Sequence, residues 1–85
     1  MESGGLQARI QHQIADLRAR YPRIGACHAS LEHWHEAGEP RHALQIDIRS
    51  PQHQSLVSGP ARDSAEEAVR AAFDLATRSL EQAHA

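Results

Sequence analysis

The feature that most constrains this chain is a hydrophobic period that changes twice along 85 residues. Leu6, Ile10, Ile14, Leu17 and Tyr21 recur at spacings of three and four, which is one stripe of an α-helix. Gly4-Gly5 precede the stripe, and Pro22 ends it because the residue before a proline avoids the helical region. A first helix is therefore expected over about residues 6–21. From Ile24 the period drops to two. Cys27, Ala29 and Leu31 alternate with His28, Ser30 and Glu32, as in a half-buried strand.

Residues His33 to Arg41 are polar and contain Gly38 and Pro40, so a loop is expected there. Leu44, Ile46 and Ile48 then alternate with Gln45, Asp47 and Arg49, the clearest strand of the chain. Ser50 to His53 reads as a turn and Gln54 to Ser58 as a short third strand. Gly59-Pro60 returns the pattern to the helical period. Asp63 or Ser64 can cap a second helix, with Glu66 or Glu67 three residues on. Ala65, Val69, Ala72, Phe73, Ala76 and Leu80 are its apolar stripe.

Short links between the strands imply antiparallel hairpins. One apolar face per strand and one stripe per helix then predict an α+β domain of order α-β-β-β-α, with both helices on one face of a three-stranded antiparallel sheet. The domain is expected over residues 6–82, with residues 1–5 disordered and 83–85 a tail. The other face, bearing His28, Ser30, Gln45 and Asp47, stays open to water or to a partner. Tyr21, Trp34 and Phe73 are the only aromatic residues, so the core must rest on Ile, Leu, Val and Ala. Such a thin core suggests modest stability, or stability taken from a partner.

Several classes are disfavoured. Cys27 is the only cysteine, which rules out an internal disulfide. The N-terminal residues lack the basic and apolar regions of a signal peptide, and no run approaches the roughly 20 apolar residues of a membrane span. A cytoplasmic protein without a membrane role is expected. The chain has nine arginines, no lysine and eleven acids, for a net charge of −2. RNA binding would therefore need a local arginine patch.

Arg20-Tyr21-Pro22-Arg23-Ile24, leading into Cys27, Ala29 and Leu31, resembles the join of helix and strand in the ribosome hibernation-promoting factors. These are also called ribosome-associated inhibitors or sigma-54 modulation proteins. Arg62-Asp63, followed by a helix with Val69, Phe73, Ala76 and Leu80 inward, resembles the last helix of that family. The resemblance spans residues 6–82. It implies an RNA-binding domain that occupies the small ribosomal subunit, without catalytic residues, cofactor or small-molecule substrate. It also implies RNA contacts from Arg9, Arg18, Arg20, Arg70 and Arg78.

The family opens with a further strand, for which residues 1–5 are too few and too rich in glycine. The strand at 24–32 is then expected to be an exposed edge, and a homodimer through that edge or the open face is expected with it. Without the opening strand, the element order is that of a double-stranded-RNA-binding domain. Gly38-Glu39-Pro40-Arg41-His42 resembles the minor-groove loop of such domains, with an extra glutamate.

The arginines divide by their neighbours. Arg20, Arg70 and Arg78 lie four residues after Asp16, Glu66 and Asp74, the favourable order for a helical ion pair. Arg9, Arg18, Arg23, Arg41, Arg49 and Arg62 lack such a partner, which makes them the better candidates for phosphate. Among seven histidines, His33, His35 and His42 could approach one another, but histidine spacing alone is a weak metal signal, and no metal site is expected. His28 follows Cys27, yet adjacent strand residues point to opposite faces, so no nucleophile–base pair forms. With no phosphate loop, carboxylate pair or serine elbow, the expectation is a binding protein, not an enzyme.

Overall fold

A computed structural model of the chain describes residues 2–51 and 53–83, with side chains over 5–51 and 53–82. The element order is α1 (Glu2–Arg20), β1 (Ala26–Glu36), β2 (Glu39–Ser50), β3 (His53–Ser58) and α2 (Ala65–Ala83). The three strands form one antiparallel sheet in the order β1-β2-β3, which is the predicted α+β arrangement. Of the ends expected to lack structure, Met1, His84 and Ala85 lie outside the described residues. The backbone of Glu2–Gly5 belongs to α1 and Ala83 closes α2.

Leu44, Ile46 and Ile48 point from β2 into the core, where they meet Ile14 and Leu17 of α1 and Val69, Ala72, Phe73 and Ala76 of α2. A single cluster joins residues of both helices to one side of the strands, so both helices share that face. Ala68, Ala72 and Ala76 are completely buried and spaced by four, giving α2 a smooth stripe that lets its backbone approach the sheet. The approach is close at Gly59, where an added Cβ would lie 2.6 Å from the Ala72 Cβ and 2.9 Å from the Leu44 carbonyl oxygen. Ser64 caps α2, its Oγ accepting a bond from the Glu67 N–H at 3.2 Å.

The largest departure from expectation lies at residues 33–41. They form a continuation of β1 and the start of β2, joined by a two-residue turn at Ala37-Gly38. Both turn residues have positive φ, 54° and 82°, as a tight hairpin turn of matching twist demands. His33 opposes His42, Trp34 opposes Arg41, and Glu36 opposes Glu39. The strand signal is weak here because this end is largely exposed and carries little apolar alternation to reveal a period of two. Beyond β3 the chain stays beside β2. The Gly59 N–H donates to the Leu44 carbonyl at 2.9 Å, and His42 and Arg62 exchange two backbone bonds of 2.8 Å.

Two substitutions test this packing by urea denaturation. Gly59→Ala forces a methyl group against Ala72 and the Leu44 carbonyl and is expected to cost about 1–3 kcal/mol. Ala37→Asn places a residue that tolerates positive φ before Gly38 and is expected to stabilise the hairpin by about 0.5 kcal/mol.

Candidate nucleic-acid interface

The fold sorts the arginines into two kinds. On the open sheet face Arg49 lies beside Asp47 on the same strand, with Nη2 to Oδ2 at 3.2 Å. Arg41 reaches across to Asp63, 22 residues away, at 2.7 Å. Neither pairing follows helical spacing, and both are surface pairs at shorter distances than those on the helices, with Arg49 59% and Asp63 79% exposed. Arg62 is anchored by its backbone bridge to His42, and its guanidinium donates to the Ala61 carbonyl at 3.0 Å.

The helical arginines are less committed. Arg9 is exposed on α1 and Arg23 is exposed in the turn after it, and neither pairs with an acid among the described residues. Arg18 is exposed, and its Nη2 donates a long bond of 3.4 Å to the Gly25 carbonyl. Arg20 makes the expected pair with Asp16 at 3.5 Å, both side chains about half exposed. Pairs of this kind contribute little and break readily. On α2, Arg78 stands 4.0 Å from Asp74. Arg70 forms no ion pair among the described residues, so the Glu66 partner suggested by spacing is not engaged.

Position divides them further. Arg9 and Arg20 are eleven residues apart, about three helical turns, and share one stripe of α1. Arg18, Arg20 and Arg23 crowd the last turn of α1 and the loop after it. Arg23 also lines an open groove of about 850 Å³, with Ile24, Ile48, His53 and Leu80 around it. Arg62 and Arg78 meet elsewhere, beside Ser58 and Asp74 in a shallow pocket along β3. Residues 1–25 carry four arginines against two acids, whereas residues 26–85 carry five against nine. The near-neutral chain thus has a basic end on α1 and its following turn.

Other candidate chemistry stays apart. The rings of His33 and His42 are 6.3 Å apart and tilted, and His42 Nδ1 is buried without a hydrogen-bond partner. No group of three or more His, Cys, Asp or Glu among the described residues is placed to hold a metal ion. Gly38 closes the hairpin turn, while Pro40 and His42 belong to β2. Glu36 precedes the segment that resembles a minor-groove loop, and Glu39 within it stands opposite Glu36. Burial pushes the Cys27 thiol above its ordinary range, opposed in part by the charge of Arg18 and reinforced by Asp47. A thiol held protonated is a poor nucleophile.

Comparison with protein-family models, curated proteins and solved structures finds no significant match to this chain. No described helix is long and apolar enough to cross a membrane.

The electrostatics around Cys27 give a direct test. A disulfide reagent at pH 8 is expected to modify Cys27 more slowly in the folded protein than in urea. Arg18→Ala, by removing the charge that favours the thiolate, is expected to slow the reaction further, whereas acceleration would contradict the assignment.

Proposed function

We propose that this domain is a cytoplasmic, ribosome-associated RNA-binding domain that acts by steric occlusion of the small subunit, performing no chemistry of its own. The observation that supports this reading is the division of the arginines. The sheet-face residues Arg41 and Arg49 are held by acids at 2.7 and 3.2 Å. The arginines of α1 and its turn, by contrast, are unpaired, weakly bonded or in an open surface pair. Those are the positions at which the family resemblance implies RNA contact, extended by one residue to Arg23. A guanidinium free of acid partners can form a bidentate contact to a phosphate, which a paired one must first give up a carboxylate to make. Arg9, Arg18, Arg20 and Arg23 of α1 and its turn make the main contact, and Arg70 on α2, which forms no ion pair among the described residues, is a further candidate.

Co-sedimentation with purified small ribosomal subunits over a series of salt concentrations tests the proposal. With four phosphate contacts the logarithm of the binding constant is expected to fall against the logarithm of salt with a slope of about −3. Arg9→Ala and Arg23→Ala are each expected to weaken binding and flatten that slope by about one unit or less, while Arg49→Ala leaves it unchanged. No salt-sensitive binding, or equal effects of Arg9→Ala and Arg49→Ala, would overturn the reading.

A further inference from the structure

Among the described residues no strand lies on the outer side of β1, the strand that α1 contacts. Neighbouring strands lie about 4.8 Å apart and packed helices about 8–10 Å apart, so two helices cover roughly four strands. This sheet has three. The larger helix–sheet contact is that of α2 over β2, whereas α1 meets the sheet at β1, and the shortfall falls under α1. The burial pattern agrees. On α2, Ala68, Val69, Ala72, Phe73 and Ala76 are at most 4% exposed. On α1, Leu6 and Ile10 are only partly buried, and so are Cys27, Ala29 and Leu31 on the adjoining face of β1.

The backbone of β1 is equally unfinished. His42 and Leu44 of β2 bond toward the Gly59–Arg62 side, so the odd-numbered residues of β2 face β1. Their partners in the register are the even-numbered residues of β1. The N–H and C=O groups of Cys27, Ala29, Leu31, His33 and His35 therefore point outward from the sheet edge. The open face of the same strand carries His28, Ser30, Glu32, Trp34 and Glu36. Glu32 forms no ion pair among the described residues, and Glu36 stands directly opposite Glu39, a like-charge pair that costs stability. The nearest arginine across the ladder, Arg41, is held by Asp63.

We propose that β1 and α1 form a docking site for one extended strand of another polypeptide, in which apolar residues alternate with arginine or lysine. Its apolar residues fill the strip between α1 and β1, its backbone completes the edge, and its basic residues lie beside Glu32 and Glu36. Strand addition of this kind takes affinity from main-chain bonds and selectivity from alternate side chains. A second copy pairing through its own β1 fits less well, because it carries a second α1 into a space one strand wide.

Trp34 is the only tryptophan and lies on β1, so its fluorescence reports the edge. The probes are two acetylated, amidated nine-residue peptides, one alternating valine with arginine and the other valine with glutamate. Saturable binding of the arginine peptide is expected, at least tenfold tighter than that of the glutamate peptide. Ala29→Pro removes an outward N–H while leaving the β1–β2 bonds in place, and is expected to weaken binding about tenfold, with circular dichroism confirming the fold. Glu32→Arg alters an exposed side chain and is expected to abolish the preference between the peptides, while Glu81→Arg on α2 leaves it unchanged. Equal binding of the two peptides, no binding, or no effect of Glu32→Arg would overturn the proposal. A peptide-free dimer by light scattering would assign the edge to a second copy and overturn it as well.

Discussion

The structure depends on the contact between the central strand and the alanine stripe of α2. Leu44 and Ile46 are fully buried, and so are Ala68, Ala72 and Ala76, whose small side chains let α2 come close to the sheet. In a chain with three aromatic residues, a core cannot be filled by large side chains, so backbones must come close instead. Gly59 is the consequence. The chain leaves β3 where α2 passes close to it, and any side chain there would meet Ala72. The burial of β2, the cap at Ser64 and the return of Arg62 to His42 are consistent with that approach.

The same thin core explains the uneven quality of the two helix contacts. On α2 a smooth stripe is sealed against β2. Of the stripe of α1, only Ile14 and Leu17 are buried, and its partner strand lies at the edge of the sheet. An imbalance of this kind leaves one side of the domain as a rigid platform and the other as an incomplete layer. Free energy gained by covering apolar surface is then available to a partner at α1 and β1, whereas at α2 it has already been used in folding.

The sequence revealed what is coupled to burial and missed what is not. Leu44, Ile46 and Ile48 announce β2 because alternate side chains are sealed under α2, and Val69, Phe73 and Ala76 announce α2 for the same reason. Between His33 and Arg41 the backbone continues its hairpin largely exposed, so no apolar alternation remains and the segment looks like a loop. The arginines divide in the same way. Asp16–Arg20 and Asp74–Arg78 follow from helical spacing. Arg41–Asp63 depends on the chain returning beside β2, a tertiary fact to which spacing along the sequence is blind. Glu66 and Arg70 show the converse: suitable spacing permits a pair on an exposed helix without requiring one, since its gain is comparable to the entropy of holding two long side chains.

Charge in this molecule is organised by face, and that organisation has a consequence for binding. The basic excess sits on α1 and the turn after it, while Glu32 and Glu36 of β1 and Glu39 of β2 make the hairpin end acidic. The two ends of β1 thus favour opposite charges. At the hairpin end a phosphate backbone would meet carboxylates, whereas at the turn it would meet Arg18, Arg20 and Arg23 without a short, enclosed acid partner. Over a separation longer than the roughly 8 Å screening length at physiological salt, each end acts on its own ligand. A nearly neutral chain can therefore present an anion-binding surface and a cation-binding edge together, because it is the local field, not the net charge, that a partner meets.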